Sequence, residues 1–229
     1  LGGGKLTGLS NPYPTALMLN DKNQVTYANP TMTEDWMTAD QIWVWVPGDE
    51  AYKKFYFYNG EYGTGWCETT GDENFFEECE GYENGLPEGC GIFYNAKAGN
   101  GKAATGSGQV ESEPEYEIPL DGGKLTMLAN PYPTALMLND ENQVTYSEPT
   151  MTDYWMTADQ IWVWVPGIEG YKKFYYYNGE YGTGWCETDG AENFFEDCEG
   201  YENGLPPGSA IEYNAKAGSG KNMVFKKMY

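Results

Sequence analysis

The side chains in this sequence that could do chemistry are carboxylates, thiols and aromatic rings. Thirty-five Asp and Glu face 13 basic residues, all of them lysine, and there is no histidine. The missing imidazole removes the Ser-His-Asp triad, the Cys-His pair, His-ligated zinc and a histidine pH switch. The missing arginine removes planar clamps for carboxylate or phosphate. A net charge of −22 opposes nucleic acid, whose recognition needs clustered positive charge.

The aromatic rings are the first candidate for a binding site. Gln41–Val46 and Tyr52–Tyr58 are β-branched and aromatic, and alternation along a strand puts every second side chain on one face. One face carries Ile42, Val44 and Val46. The other gathers Trp43, Trp45, Tyr56 and Tyr58, repeated as Trp162, Trp164, Tyr175 and Tyr177. Flat rings beside Asn, Asp and Gln suit the C–H faces and hydroxyls of sugars. The same rings would also serve as a second core layer or a domain contact, because tryptophan buries most of its area.

Between Phe55 and Ala96 there is no lysine, but there are nine carboxylates: Glu61, Glu68, Asp72, Glu73, Glu77, Glu78, Glu80, Glu83 and Glu88. Calcium is the cation that hard oxygens would hold, although the D-x-[DN]-x-[DN]-G loop does not occur. A solvated acidic face is the simpler reading, and no other cofactor or metal is implied. Two acids at a set distance suffice for glycoside hydrolysis, but 35 acids always supply such a pair. The chain therefore reads as a non-enzyme. Cys67 and Cys79 recur as Cys186 and Cys198, which predicts two disulfides in an oxidising compartment. Two cysteines per copy are too few for structural zinc. Cys90 has Ser209 as its counterpart and reads as a buried thiol or an intermolecular link.

The elements that position these residues come in duplicate. Residues 3–102 align with 122–221 without a gap, with 18 differences in 100 positions. The interval, 119 residues, is that of tandem domains rather than of a solenoid. Domains are expected at 1–112 and 113–229, joined by a small, polar linker over 103–114. Duplication is either bare gene history or valency, in which two weak sites hold a repetitive surface better than one.

Turn residues recur every eight to twelve positions, the spacing of sandwiches and barrels. The sequence predicts an all-β chain of two tandem β-sandwich or partly open β-barrel domains with tight hairpins. Turns are expected at Pro47–Ala51, at Asn59-Gly60 and at Asn20–Asn23, the last between strands Ala16–Leu19 and Gln24–Tyr27. Gly91–Ala96 and Met223–Tyr229 are further strand candidates. Glu73–Cys79 and Glu192–Cys198 read as a short helix or a structured loop. No run of eighteen apolar residues exists, so no membrane insertion is expected. The cysteines, acidic surface and start at Leu1 instead of Met fit a processed, secreted or cell-surface protein.

The flanks of the copies differ. Glu115–Leu120 reads as a strand leading into copy two, whereas copy one starts at Leu1, the equivalent of Leu120. Ala104–Val110, which matches Met223–Tyr229, is small and polar. An open sheet edge would accept a strand from a neighbour, giving head-to-tail assembly and filaments. Truncation of a longer protein explains the same gap.

Leu9-Ser10-Asn11-Pro12-Tyr13-Pro14 and Leu128-Ala129-Asn130-Pro131-Tyr132-Pro133 resemble the asparagine-proline-aromatic-proline segment of β-rich repeat modules in large secreted bacterial surface proteins. Leu86-Pro87-Glu88-Gly89 and Leu205-Pro206-Pro207-Gly208 resemble their later Leu-Pro-x-Gly. The Gly-Trp-Asn lead-in common there is replaced by Gly3-Gly4-Lys5-Leu6. The resemblance implies extracellular, repeated, non-catalytic modules. The expected function is an extracellular structural or adhesive one, through multivalent contact or strand-mediated self-assembly into a filament or surface layer. The alternative is a tandem carbohydrate-binding protein whose partner is a surface glycan.

Overall fold

Runs of β-branched and aromatic residues, punctuated by Gly, Pro, Asn and Asp, form strands and tight turns. The structure is a computed structural model. It describes residues 1–229 except 2, 5, 14, 47–50, 62, 72–78, 80, 83–84, 88–89, 107–113, 166–169, 181, 191–197, 199, 202–203, 208 and 228–229. Among the described residues there is no helix. The chain divides into two compact units, Leu1–Val110 and Glu111–Tyr229, close to the boundary expected at 112.

Unit one holds β1 (Leu6–Ser10), β2 (Val25–Ala28), β3 (Gln41–Val46), β4 (Ala51–Gly60), β5 (Gly63–Thr69), β6 (Gly91–Asn95) and β7 (Ala103–Gly106). Unit two holds β8 (Glu115–Leu120), β9 (Leu125–Ala129), β10 (Val144–Ser147), β11 (Gln160–Val165), β12 (Gly170–Gly179), β13 (Gly182–Thr188), β14 (Ala210–Asn214) and β15 (Lys221–Lys226). A five-stranded antiparallel sheet orders β1-β6-β3-β4-β5 in unit one and β9-β14-β11-β12-β13 in unit two. The smaller sheet is β2-β7 in unit one and β10-β15-β8 in unit two.

Each unit is a sandwich-like pair of sheets. In unit two Ile161, Val163, Phe174, Trp185, Ile211 and Tyr213 of the large sheet meet Val144, Met223, Phe225 and Leu120 of the small one. Trp185 stacks on Tyr176 at 4.9 Å between ring centroids, as Trp66 stacks on Phe57 at 4.9 Å.

The asparagine of the Asn-Pro-Tyr-Pro segment is a buried hub. Asn11 Nδ2 donates to the carbonyls of Thr15 and Leu86, both at 2.8 Å, and Asn11 Oδ1 accepts from the Tyr13 amide at 3.0 Å. It thereby ties this turn to the Leu-Pro segment, where Leu17 and Leu86 form an isolated bridge. Asn130 does the same in unit two.

A buried ion pair has no signature in the sequence. Lys102 Nζ lies 3.0 and 2.9 Å from the two oxygens of Asp40 and also donates to Thr31 Oγ1. Asp40 accepts in addition from the amides of Thr31 and Lys97 and from the Tyr94 hydroxyl. Such full satisfaction is what makes a buried charge tolerable. Burial first, and then the Asp40 charge, push the Tyr94 hydroxyl far above its usual range. Lys221 and Asp159 repeat the pair at 2.9 Å.

Several elements differ from the sequence expectation. Asn59 and Gly60 are still strand, paired with Thr64 and Gly63, so the turn falls two residues later. Ala16–Leu19 contributes only the bridge at Leu17. The small residues at the start of the supposed linker form β7, because pairing with β2 supplies the order that their side chains do not. Strands β6 and β15 end before the expected Ala96 and Tyr229. The connection at 47–50 and the supposed helices at 73–78 and 192–197 lie outside the described residues.

Candidate functional site: an aromatic shelf on each large sheet

The outer face of the large sheet is set by register. Gln41, Trp43 and Trp45 on β3 stand across from Tyr56, Lys54 and Tyr52 on β4. On the other side Gln41 and Trp43 face Asn95 and Phe93 of β6. All these side chains therefore share one face.

At one end of this face the rings are half-open. Trp45 meets Tyr52 edge-on at 5.0 Å, and Trp43 lies 6.4 Å from the same ring. Lys54 Nζ sits 5.7 Å from the Trp43 ring, a cation–π arrangement. Gln41 orients the cluster. Its Oε1 accepts from Trp43 Nε1 at 3.3 Å and from Asn95 Nδ2 at 3.0 Å, while its Nε2 donates to the Trp36 carbonyl at 2.7 Å.

At the other end the face is closed, which corrects the sequence expectation for half of its rings. Tyr56 is 0% and Tyr58 2% exposed, sealed with Ala39 and Cys67 under Trp36 and Cys79. The segment between β2 and β3 doubles back over them, bridging Thr33 to Tyr58. Alternation fixes which face a ring occupies and says nothing of what lies over it. Tyr175 and Tyr177 are closed off in the same way by Ala158, Trp155 and the second disulfide. Burial pushes the Tyr56 and Tyr175 hydroxyls up to about 12.

The open part of the shelf is thus Trp43, Trp45, Tyr52 and Lys54. In unit two it is Trp162, Trp164, Tyr171 and Lys173, with Lys173 Nζ 5.1 Å from the Trp162 ring. The covering segment adds apolar groups that the sequence reading did not single out: Met37 is 64% exposed, and its counterpart Met156 is 49% exposed. No period marks them, since they lie outside any strand.

The shelves differ in chemistry at the position of Phe93. Phe93 packs on Tyr52 at 5.9 Å, whereas its counterpart is Glu212, which accepts a hydrogen bond from the Tyr171 hydroxyl. Burial raises the Glu212 carboxyl above the usual carboxylate range, and the Tyr171 bond offsets part of that rise.

Cys67–Cys79 and Cys186–Cys198 are disulfides with Cα atoms 4.1 Å apart in each. Cys90 is a half-buried free thiol, and burial pushes its pKa up to about 12. Of the nine acidic positions weighed for calcium, only Glu61 and Glu68 are described. Among the described residues no three metal-ligating side chains gather.

Each unit also has a cleft between the edges of its two sheets. It measures about 450 Å³ in unit one, where Lys22, Tyr27, Met32 and Phe57 line it. In unit two it measures about 240 Å³ and has Glu141 and Tyr176 at the positions of Lys22 and Phe57.

No known protein family, characterised protein or solved structure matches the chain.

Proposed function

We propose that this is a secreted or cell-surface structural or adhesive protein that works by multivalent contact. The contact surfaces are the half-open rings of Trp43 and Trp45 in one unit and Trp162 and Trp164 in the other. The observation that carries this reading is their placement: equivalent rings are half-open on the outer face of both large sheets. Two weak contacts on one chain can exceed either alone by roughly 10²–10⁴ in avidity. The two disulfides fit an oxidising compartment, and the Asn-Pro-Tyr-Pro likeness to bacterial surface modules points the same way. Strand-mediated self-assembly remains a second route to the same role.

The carbohydrate-binding alternative draws on the polar groups beside the rings. The half-buried Asn95 in unit one and Asn214 in unit two would bond to hydroxyls while the indoles stack. A glycan array with the parent and a Trp43→Ala, Trp162→Ala variant tests both readings. Sugar binding that the variant loses supports the carbohydrate reading. An inert array, with retention on protein-coated surfaces that the variant loses, supports the contact reading. Unchanged retention of the variant on every surface overturns both.

A further inference from the structure

The cleft between the sheet edges differs in kind between the two near-identical copies. In unit one the buried Leu19 and Val25 line its inner part. Tyr27 and Phe57, with ring centroids 5.4 Å apart, form a wall, and the exposed Met32 and Lys22 stand at the mouth. Its lining is mainly apolar, and its volume of about 450 Å³ falls within the roughly 300–1,000 Å³ of small-molecule sites.

The wall is held in place by contacts of its own. Phe57 stacks on Trp66 with the ring planes 8° apart, and the Tyr27 hydroxyl donates to the Leu19 carbonyl at 3.2 Å. Asn20 is committed as well: its Nδ2 donates to the carbonyls of Trp66 and Cys79, and its Oδ1 accepts from the Trp66 amide. Lys22, by contrast, forms no hydrogen bond or ion pair with a described residue. A ligand entering here meets preformed apolar walls and one unengaged cation.

Unit two keeps the frame and reverses the chemistry. Glu141 replaces Lys22 and Tyr176 replaces Phe57, while the other residues lining this cleft match their counterparts in unit one. The volume falls to about 240 Å³ and the lining becomes mainly polar. Burial first, and then the Glu141 charge, raise the Tyr176 hydroxyl above its usual range. The charge carried at this position is therefore felt at the ring wall.

We infer that the cleft of unit one is a binding site for a small apolar monocarboxylate. Its aliphatic or aromatic body lies against Tyr27, Phe57 and Met32, and its carboxylate meets the Lys22 ammonium. Charge complementarity selects the anion, because an ammonium ligand would bring like charges together. One cation in a chain of net charge −22 favours a single negative charge over a phosphate ester or a polyanion. Glu141 repels the same ligand from unit two, so the duplicated chain holds one such site. The inference rests neither on the aromatic shelf nor on the proposed function.

The test is a titration of the intact chain with octanoate and with octylammonium, which has the same length and the opposite charge, followed by amide NMR. Saturable shifts at Thr26, Tyr27, Thr64 and Gly65 are expected, with one octanoate per chain and octylammonium at least roughly tenfold weaker. The double variant Lys22→Glu, Phe57→Tyr gives unit one the two residues that unit two already carries, and it should weaken octanoate at least roughly tenfold. The reverse exchange, Glu141→Lys with Tyr176→Phe, should raise the stoichiometry to two. Absence of saturable octanoate shifts at the cleft, or equal binding of octylammonium, would overturn the inference. So would undiminished binding by the first variant, equal occupation of both units in the parent, or a stoichiometry that stays at one after the reverse exchange.

Discussion

Phe93 and Glu212 occupy equivalent places, yet they give the two shelves different chemistry. The phenyl ring extends the aromatic packing around Tyr52. The carboxyl is 6% exposed and is stabilised by Tyr171 alone among its described partners. Burial raises its folded pKa above the unfolded value near 4.5, so the folded form binds the proton more tightly. The stabilisation is fully present below the unfolded value and is lost as pH rises through the raised folded one. Glu212→Phe should therefore unfold at a higher temperature than the parent at pH 8, with the gap narrowing toward pH 4, as calorimetry can follow. A gap that widens toward acid would contradict this sign. At this scale the sequence is legible only where a residue acts through its neighbours. The cysteine pairs at a twelve-residue step could be read from spacing alone. The Lys102–Asp40 pair could not, because 62 residues separate partners that only the fold brings together.

Composition locates the strands well because β-branched and aromatic residues fit a pleated, half-buried surface. Gln41–Val46 and Glu115–Leu120 are strands over their whole expected lengths. Turns are harder to place. Asn59-Gly60 has favourable turn chemistry, but Gly60 pairs with Gly63 and the hairpin closes beyond it. The cover over Tyr56 and Tyr58 is the largest omission, since it is built by a segment with no period of its own. The disulfide holds part of that cover: Cys67 lies across from Tyr56 on β5, and Cys79 packs on the same cluster. Replacing Cys186 and Cys198 by serine should cost unit two about 3 kcal/mol on the loop-entropy model. It should also open Tyr175 and Tyr177 to solvent, which tyrosine nitration followed by peptide mapping would detect. Protection that persists after the bond is removed would assign the cover to Trp155 and Ala158 alone.

The two units share most of their sequence but should differ in stability. Leu1 already packs where unit two has Leu120, but unit two adds Tyr116 and Ile118 of β8 and buries Met223 and Phe225 where unit one has Ala104 and Gly106, a contribution of at least about 3 kcal/mol from apolar burial. For domains of this size that corresponds to roughly 10–20 °C. Scanning calorimetry of the intact chain should show two transitions, and NMR should assign the lower one to unit one. A single transition would mean that β8 contributes little, or that the units unfold together. The duplication itself is legible in the sequence, because identical residues recur at one interval. The unequal sheets were legible only as a difference in flanks, since no rule of composition makes Ala-Ala-Thr-Gly a strand.

The direction of β8 has a mechanical consequence. Its first residue, Glu115, pairs with Lys226 near the far end of β15, so the backbone enters and leaves this sheet at the same side. A tensile load carried through both ends would pull the two strands apart like a zipper, rupturing one rung at a time instead of shearing all rungs together. Unit two would then yield at low force for its thermal resistance, paying out length under strain while its disulfide-clamped large sheet stayed folded.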